Sequence, residues 1–471
     1  MLTLADVLEA LTGTRPQAAS LIISEAAIDS RQVIPAAMFV ALPGERVDGH
    51  AFIKDAFQQG AHIALIQQDL TNEFPVLDLR QCCWDPRFVI PEPPFCIWVP
   101  SSLEALQTIA RFWRAKHNIR VIGITGSVGK STTKELVADV LSQRYNTLKN
   151  LGNLNNEIGL PLTLLRLGPG YQRAVLEMGF YVPGEIRFLC HIARPKVGVI
   201  TNIGTVHAER AGSQEMIARG KRELVESLPE DGTAILNYDD PLVRQMANHT
   251  SARVLFYGLT PEADLWADEI TSQGLKGISF RLHTGKDTLH VHVPMIGQHS
   301  VHTVLRAAAV GLVEGLTWEE ILLGLQQSRA QLRLVAVQSA SGALILDDTY
   351  NASPESTMAA LNLLGEMDGR RIAVLGDMLE LGPYEQKGHE LVGGRAAEIA
   401  QVLVAVGSRG KMIADAARQA GMPSIMVVWV ENNSQAIAAL SNIIRSGDVV
   451  LVKGSRSMHM EEIVAAMEVM E

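Results

Sequence analysis

The 471 residues exceed what one hydrophobic core organises, and ordinary domain size divides them into about three domains. With 47% apolar and 20% charged residues the chain has the makeup of a folded globular protein, which excludes extended disorder. A net charge of −10, with no basic run interleaved with aromatics, gives a nucleic-acid backbone nothing to hold, so no nucleic-acid partner is expected.

The first residues, M-L-T-L-A-D-V-L-E-A, put acidic groups where a secretory signal needs a basic region and a long apolar core. No stretch reaches spanning length either, so a cytoplasmic protein with no membrane partner is expected. Four cysteines, Cys82, Cys83, Cys96 and Cys190, lack paired metal-ligand spacing and read as reduced, buried small hydrophobes. Residues 1–98 hold short apolar runs broken by turn signals, such as M-F-V-A-L-P-G-E-R and H-I-A-L-I, without a nucleotide fingerprint. A small α/β cap is predicted there.

From Val99 the amphipathic S-L-E-A-L-Q-T-I-A-R-F-W-R-A-K leads into the apolar strand R-V-I-G-I-T. A-V-L-E-M, V-G-V-I-T-N and T-A-I-L-N read as further buried strands between helical patterns, so residues 99–328 are predicted to form a parallel-sheet, P-loop-type nucleotide domain. After the helix-like S-V-H-T-V-L-R-A-A-A-V-G-L-V-E and its successor, alternation resumes near Leu332. Strands A-L-I-L-D-D, R-I-A-V-L-G-D, Q-V-L-V-A-V-G and D-V-V-L-V-K-G each end in Gly, Asp or both, and a Rossmann-like α/β domain over 329–471 is predicted. In such sheets ligands bind at the carboxyl ends of the strands. The fold class is therefore α/β, in three domains.

The segment T-G-S-V-G-K-S, residues 125–131, lies between a strand and a helix. Small residues there let backbone amides wrap a phosphate at a helix N-terminus, which makes Thr125, Gly126, Ser127, Val128, Gly129, Lys130, Ser131 and Thr132 candidate nucleotide-binding residues. Lys130 would meet the β- and γ-phosphates of ATP, and the Ser131 hydroxyl would meet Mg²⁺. The longer G-x-x-x-x-G-K-S pattern would place its first glycine at Ile124, so this loop departs from it by one residue.

Several further motifs fall in a recognisable order: N-L-N-N-E-I-G-L-P (153–161) followed by T-L-L-R-L, then D-D-T-Y-N-A-S-P-E-S (347–356), G-D-M-L-E-L-G (376–382) and K-G-S-R-S-M (453–458). Together with the short T-G-x-x-G-K-[ST] loop they make the chain resemble the Mur ligase family over nearly its whole length. The first two resemble the branch that adds D-alanyl-D-alanine. The resemblance implies an ATP-dependent, ADP-forming ligase of peptidoglycan synthesis with a cleft between domains as its active site. ATP and Mg²⁺ are the implied cofactors, and UDP-N-acetylmuramoyl-tripeptide and D-alanyl-D-alanine the implied substrates. It also implies an acyl-phosphate intermediate, and a monomer is expected. The D-N-P-R motif of the diaminopimelate-adding branch is absent, and a folylpolyglutamate synthetase would have no use for a uridine-binding cap. Another ligase of the family is the alternative, and a non-catalytic nucleotide-binding regulator would be expected to have lost Glu177, His207 or Lys221.

Carried over by resemblance, Glu177 in L-E-M-G and His207 in T-N-I-G-T-V-H would hold metal, as would Lys221 in A-R-G-K-R-E-L after carbamylation by CO₂. Arg333 would approach the γ-phosphate, although Leu332 stands where the family has glycine. Asp348, Tyr350 and Asn351 would face the nucleotide. Asn155 and Asn156 would lie near substrate, and Lys453, Ser455 and Arg456 would hold peptide carboxylates. In the cap, D-S-R and M-F-V-A-L-P-G-E-R-V-D-G-H resemble UDP-binding segments, with Ser30, Arg31, Ala41 and Gly44 as contacts. The family pattern G-x-H-N-x-x-N reads G-Q-H-S-V-H-T here: Gly297 and His299 are kept while Ser300 and Thr303 replace two asparagines, which removes amides implied in adenine recognition.

Overall fold

The computed structural model of the chain describes residues 1–17, 19–44, 47–81, 89–205, 208–285, 287–328 and 335–468. They form two compact units: Met1–Gly123 with Tyr145–Gly179 and Glu185–Lys196, and Ile124–Arg144 with Phe180–Gly184 and Val197–Glu471.

The first unit opens with the helix Leu4–Thr12, whose start is fixed by a reciprocal Thr3–Asp6 capping box and whose end is fixed by Gly13 in the left-handed conformation. A parallel sheet follows, in the spatial order Ala26–Ala27, Met38–Val40, Ile63–Ile66, Phe95–Trp98, Val76–Asp78. Met38–Val40 and Ile63–Ile66 are buried throughout, as strands covered on both faces must be. The helix Ser102–Ala115 starts where Ser101 accepts from the Glu104 amide and buries Ala105, Leu106, Ile109 and Ala110. Just past its end the Lys116 ammonium reaches Asp6 and Glu9, each at 2.8 Å. Burial alone would raise the Asp6 carboxyl, yet hydrogen bonds from Lys116, Thr3 and Arg15 hold it well below the usual carboxylate range. Two further parallel strands of this unit, Thr147–Lys149 and Arg173–Glu177, carry Glu177 at a strand end.

In the second unit Val197–Ile200, Thr233–Asn237, Arg253–Gly258 and the start of Leu265–Ser272 pair in parallel. The chain then turns back on itself, and Leu265–Ser272, Ile278–Thr284 and Asp287–Val293 form an antiparallel meander. Sequence reading did not anticipate that meander. Its strands are only half buried and alternate apolar with polar side chains, a weaker signal than the continuous apolar runs of the parallel strands. The helices Ser300–Val313 and Trp318–Gln327 follow as expected.

The remaining sheet runs in the order Val335–Gln338, Leu344–Asp347, Val449–Lys453, Arg371–Gly376, Val402–Val406, Val427–Val430. All its pairs are parallel except the first. Four of these are the strands expected from sequence; the two edge strands are additions. Helices cover both faces over apolar cores built on Leu346, Leu375 and Leu403 on one side and Ile345, Val374 and Val404 on the other. The α/β class with largely parallel sheets is thus the observed one. Cys96 and Cys190 are buried and not in disulfides, and burial, with Glu73 nearby, pushes the Cys96 thiol up to about 12. Cys82 and Cys83 lie outside the described residues. Among the described residues no helix is long and apolar enough to cross a membrane.

Candidate active site

The loop after the strand Arg120–Thr125 runs into the helix Lys130–Leu141 through two glycines the geometry requires. Gly126 has φ +147°, and a Cβ there would lie 1.8 Å from Thr201 Oγ1. Gly129, at φ +82°, is the helix N-cap in the left-handed region. A glycine N-cap brings no side chain of its own to the first helical amides, the arrangement that suits an anion.

The loop is braced by the residues after the strand Val197–Ile200. Thr201 Oγ1 donates to the Val128 carbonyl at 2.7 Å, and the Asn202 side chain accepts from the Val128 amide at 2.9 Å. The Ser127 amide donates to the Asn202 carbonyl at 2.9 Å, and Ser127 Oγ accepts from the Gly204 amide at 2.8 Å. Sequence reading used T-N-I-G-T-V-H only for its histidine and missed Thr201 and Asn202 as supports; their position directly after an apolar strand was the available signal. His207 itself lies outside the described residues.

Two ammonium groups converge on one carbonyl. Lys130 Nζ and Lys221 Nζ each donate to the Gly126 oxygen at 2.9 Å, and Lys130 also donates to the Ser127 carbonyl at 3.2 Å. Lys221, on the helix Gln214–Glu226, is 1% exposed and sits 4.8 Å from the centre of the Phe180 ring. The helix presents it at the loop because Gly220 leaves room: a Cβ there would lie 1.9 Å from Phe180. Ser131 and Thr132 occupy the first turn after Lys130.

In the same unit the 347–356 segment is laced to its neighbours. Lys453 Nζ, 2% exposed, donates to Asp348 Oδ2 at 2.6 Å and to the Asn351 carbonyl at 2.8 Å. Lys453 therefore has an internal partner that sequence reasoning did not foresee. Arg456 is exposed, with its guanidinium 5.7 Å from the Tyr350 ring centre. Ser455 is buried; its hydroxyl accepts from the Leu379 amide at 2.8 Å and its own amide donates to the Asp377 carbonyl at 3.0 Å, which joins K-G-S-R-S-M to G-D-M-L-E-L-G. Asp377 in turn accepts from the amides of Arg409 and Gly410, capping the helix Gly410–Gln419. Glu355 was also missed: its Oε1 accepts from the Thr205 amide at 3.0 Å, so it reaches the T-N-I-G-T loop. Ser300 and Thr303 are both buried and turned inward; Ser300 donates to the Ile296 carbonyl and Thr303 accepts from Arg306, each at 2.7 Å. Arg333 lies outside the described residues.

In the first unit Glu177 is buried, its Oε1 accepting from the Asn155 side chain at 2.9 Å while Asn150 bonds its backbone amide and carbonyl. Asn155 is held in turn by Gly179, whose amide donates to the Asn155 carbonyl at 2.7 Å. Asn156 accepts from the Gly159 amide at 2.9 Å at the start of the helix Gly159–Leu165. In the cap, Ser30 is buried while Arg31 extends into solvent, paired with Asp29 at 2.7 Å. Ala41 is buried, its amide donating to the Leu65 carbonyl, and a Cβ on Gly44 would lie 2.6 Å from the Val47 carbonyl oxygen, which only glycine allows.

Comparison with known proteins fits this arrangement. Three family descriptions match in chain order: "Mur ligase family, catalytic domain" over 23–80, "Mur ligase middle domain" over 124–311 and "Mur ligase, glutamate ligase domain" over 332–456. The UDP-N-acetylmuramoyl-tripeptide–D-alanyl-D-alanine ligase of Bacillus subtilis is 35% identical over 469 residues, spanning 98% of this chain and 97% of its own. Among solved structures, MurF from Acinetobacter baumannii superposes with a TM-score of 0.83 at 31% identity, covering 98% of this chain and 97% of its own. MurF ligase from Thermotoga maritima in complex with ADP gives 0.78 at 27%, covering 95% and 97%. With the phosphate loop, its bracing strand and the three matched segments in one order, the chain belongs to the Mur ligase family.

Proposed function

We propose that the chain is an ATP-dependent amide ligase that joins D-alanyl-D-alanine to UDP-N-acetylmuramoyl-tripeptide through an acyl phosphate, giving the UDP-muramoyl-pentapeptide precursor of peptidoglycan. The observation that carries this reading is the end-to-end match to a Bacillus subtilis relative of that name, 97% of whose length is covered. In this reading residues 1–98 hold UDP through Ser30, Arg31, Ala41 and Gly44, residues 99–328 bind ATP, and residues 329–471 bring Arg333, Asp348, Tyr350, Asn351, Lys453, Ser455 and Arg456 to the reaction. The work is cytoplasmic and the acting species a monomer.

The tripeptide's terminal carboxylate is a poor electrophile and must first take the γ-phosphoryl group. Its oxygen attacks phosphorus and ADP departs; the dipeptide amine then attacks the acyl carbon, and phosphate leaves as the amide forms. Lys130 offsets the charge gathered at the β- and γ-phosphates, and the glycine-capped helix start presents amides to them. Mg²⁺ would suit the hard oxygen of the Ser131 hydroxyl beside a carbamate on Lys221, and the family resemblance names Glu177 and His207 as further ligands. When bound it neutralises phosphate charge and orients the transferred group. Lys221 suits that modification in position, since its buried amine already lies against the loop carbonyl of Gly126.

The test supplies purified protein and ATP with UDP-muramoyl tripeptide plus D-alanyl-D-alanine, and separately with UDP-muramoyl dipeptide plus lysine or diaminopimelate, following phosphate release and product mass. Turnover with the first pair and a product heavier by one dipeptide residue unit is expected. Turnover confined to the second set would assign the chain to another branch.

A further inference from the structure

Arg306 projects from the helix Ser300–Val313, in the otherwise apolar run V-L-R-A-A-A-V. It is 4% exposed. Its Nη2 donates to Thr303 Oγ1 at 2.7 Å, and its Nη1 donates to the Tyr257 hydroxyl at 3.4 Å. The third guanidinium nitrogen, Nε, is buried and has no hydrogen-bond partner among the described residues. Neither partner is a carboxylate: the cation meets the Thr303 hydroxyl and Tyr257, through its phenol oxygen and its ring, whose centre lies 5.7 Å away. A buried guanidinium without an anion is costly, and a fold keeps one where something else supplies the negative charge.

The geometry says where that charge would come from. Arg306 Nη2 lies 3.3 Å from the point where a Cβ on Gly129 would stand, so the guanidinium rests against the N-cap of the phosphate-loop helix. Tyr257 continues the contact on the other side: its hydroxyl reaches the Ile200 and Thr201 carbonyls at 3.0 Å, and Thr201 Oγ1 holds the Val128 carbonyl. We infer that Arg306 is a nucleotide-positioning residue whose counter-ion is the polyphosphate of the bound nucleotide, so that its charge, enclosed behind Gly129, favours the loaded loop over the empty one. This rests on the nucleotide site proposed above. Thr303, standing where the family motif has an asparagine, is what anchors the guanidinium in this chain.

The role predicts opposite signs for binding and for stability. Arg306→Met keeps apolar volume and removes the uncompensated charge, and Tyr257 retains both carbonyl acceptors. By calorimetry with ADP and Mg²⁺, Arg306→Met should bind about tenfold to a hundredfold more weakly than wild type, the range for hydrogen bonds to a charged group. Its melting temperature without nucleotide should equal or exceed that of wild type. KM for ATP should rise more than kcat falls, and Arg306→Lys, which keeps charge without the fork, should bind with intermediate affinity. GDP should lose as much as ADP in Arg306→Met, because the effect acts through phosphate. Unchanged ADP affinity in Arg306→Met overturns the inference, and so does a loss confined to one base or a lower melting temperature with affinity lost in proportion. Failure of the nucleotide site itself would look different: wild type would not bind ADP, or Lys130→Ala would bind it equally well.

Discussion

Lys453→Met measures what the buried cation of K-G-S-R-S-M contributes to the fold beside the substrate role proposed for it. In the structure its ammonium meets Asp348 Oδ2 at 2.6 Å and the Asn351 carbonyl at 2.8 Å, with Lys453 almost wholly enclosed and the Asp348 side chain 17% exposed. Removing one partner of a buried pair leaves the other charge uncompensated, which costs about 3–5 kcal/mol. Because Asp348 keeps some contact with water, the lower end applies, about 3 kcal/mol. For a domain of this size that lowers the apparent melting temperature by roughly 6–12 °C. Adding Asp348→Asn to Lys453→Met removes the carboxylate charge that faced Lys453 and should restore about half of the loss, a coupling of more than about 1 kcal/mol between adjacent sites. Thermal unfolding of the two single variants and the double variant gives the cycle, and KM for D-alanyl-D-alanine is measured alongside. An unchanged melting temperature in Lys453→Met would refute the ion-pair reasoning, whatever happens to KM for the dipeptide.

Gly126→Ala should lower turnover at least about a hundredfold, since the added Cβ meets Thr201 Oγ1 at 1.8 Å and strain of about 2–4 kcal/mol must move the loop or its brace; near-normal phosphate release would show that the loop tolerates it. Lys221→Ala should lose most activity and regain part of it in the presence of a small added carboxylate, whereas full activity without rescue removes Lys221 from the site. His389 is buried, with Nδ1 donating to the Glu385 carbonyl at 2.7 Å and Nε2 accepting from the Met378 amide at 3.0 Å, so the fold holds a neutral imidazole and burial lowers its pKa. Its contribution to stability is complete above the unfolded value of about 6.5 and is lost as pH falls below it, with a slope of at most about 1.4 kcal/mol per pH unit. Melting curves between pH 7.5 and 5 should therefore fall less steeply for His389→Gln than for wild type; parallel curves would mean that His389 does not titrate against the fold.

The strands that carry the chemistry were legible because they are covered on both faces: R-V-I-G-I-T, A-L-I-L-D-D and D-V-V-L-V-K-G are unbroken apolar runs that no amphipathic helix would show. The meander Leu265–Val293 was not, since half-exposed antiparallel strands dilute the apolar signal with charge, as in L-W-A-D-E-I-T-S. The phosphate loop could be read from glycine spacing and the basic residue behind it, because those requirements are local and backbone-level.

What only the tertiary structure decided is which side chains meet. Sequence placed Lys130 in the phosphate loop and, by resemblance, Lys221 at the metal about ninety residues on, but their convergence on the Gly126 carbonyl depends on how the helix Gln214–Glu226 packs beside the loop. Lys453 read as a ligand for substrate and is observed opposite Asp348, because two parallel strands, Leu344–Asp347 and Val449–Lys453, end side by side. Arg306 drew no reading from sequence; only the fold set it against Gly129, without an acidic partner among the described residues. Motifs fix the residue types and local backbone that chemistry needs, whereas the pairing of charges depends on contacts between segments far apart in sequence, and those exist only once the sheets have formed.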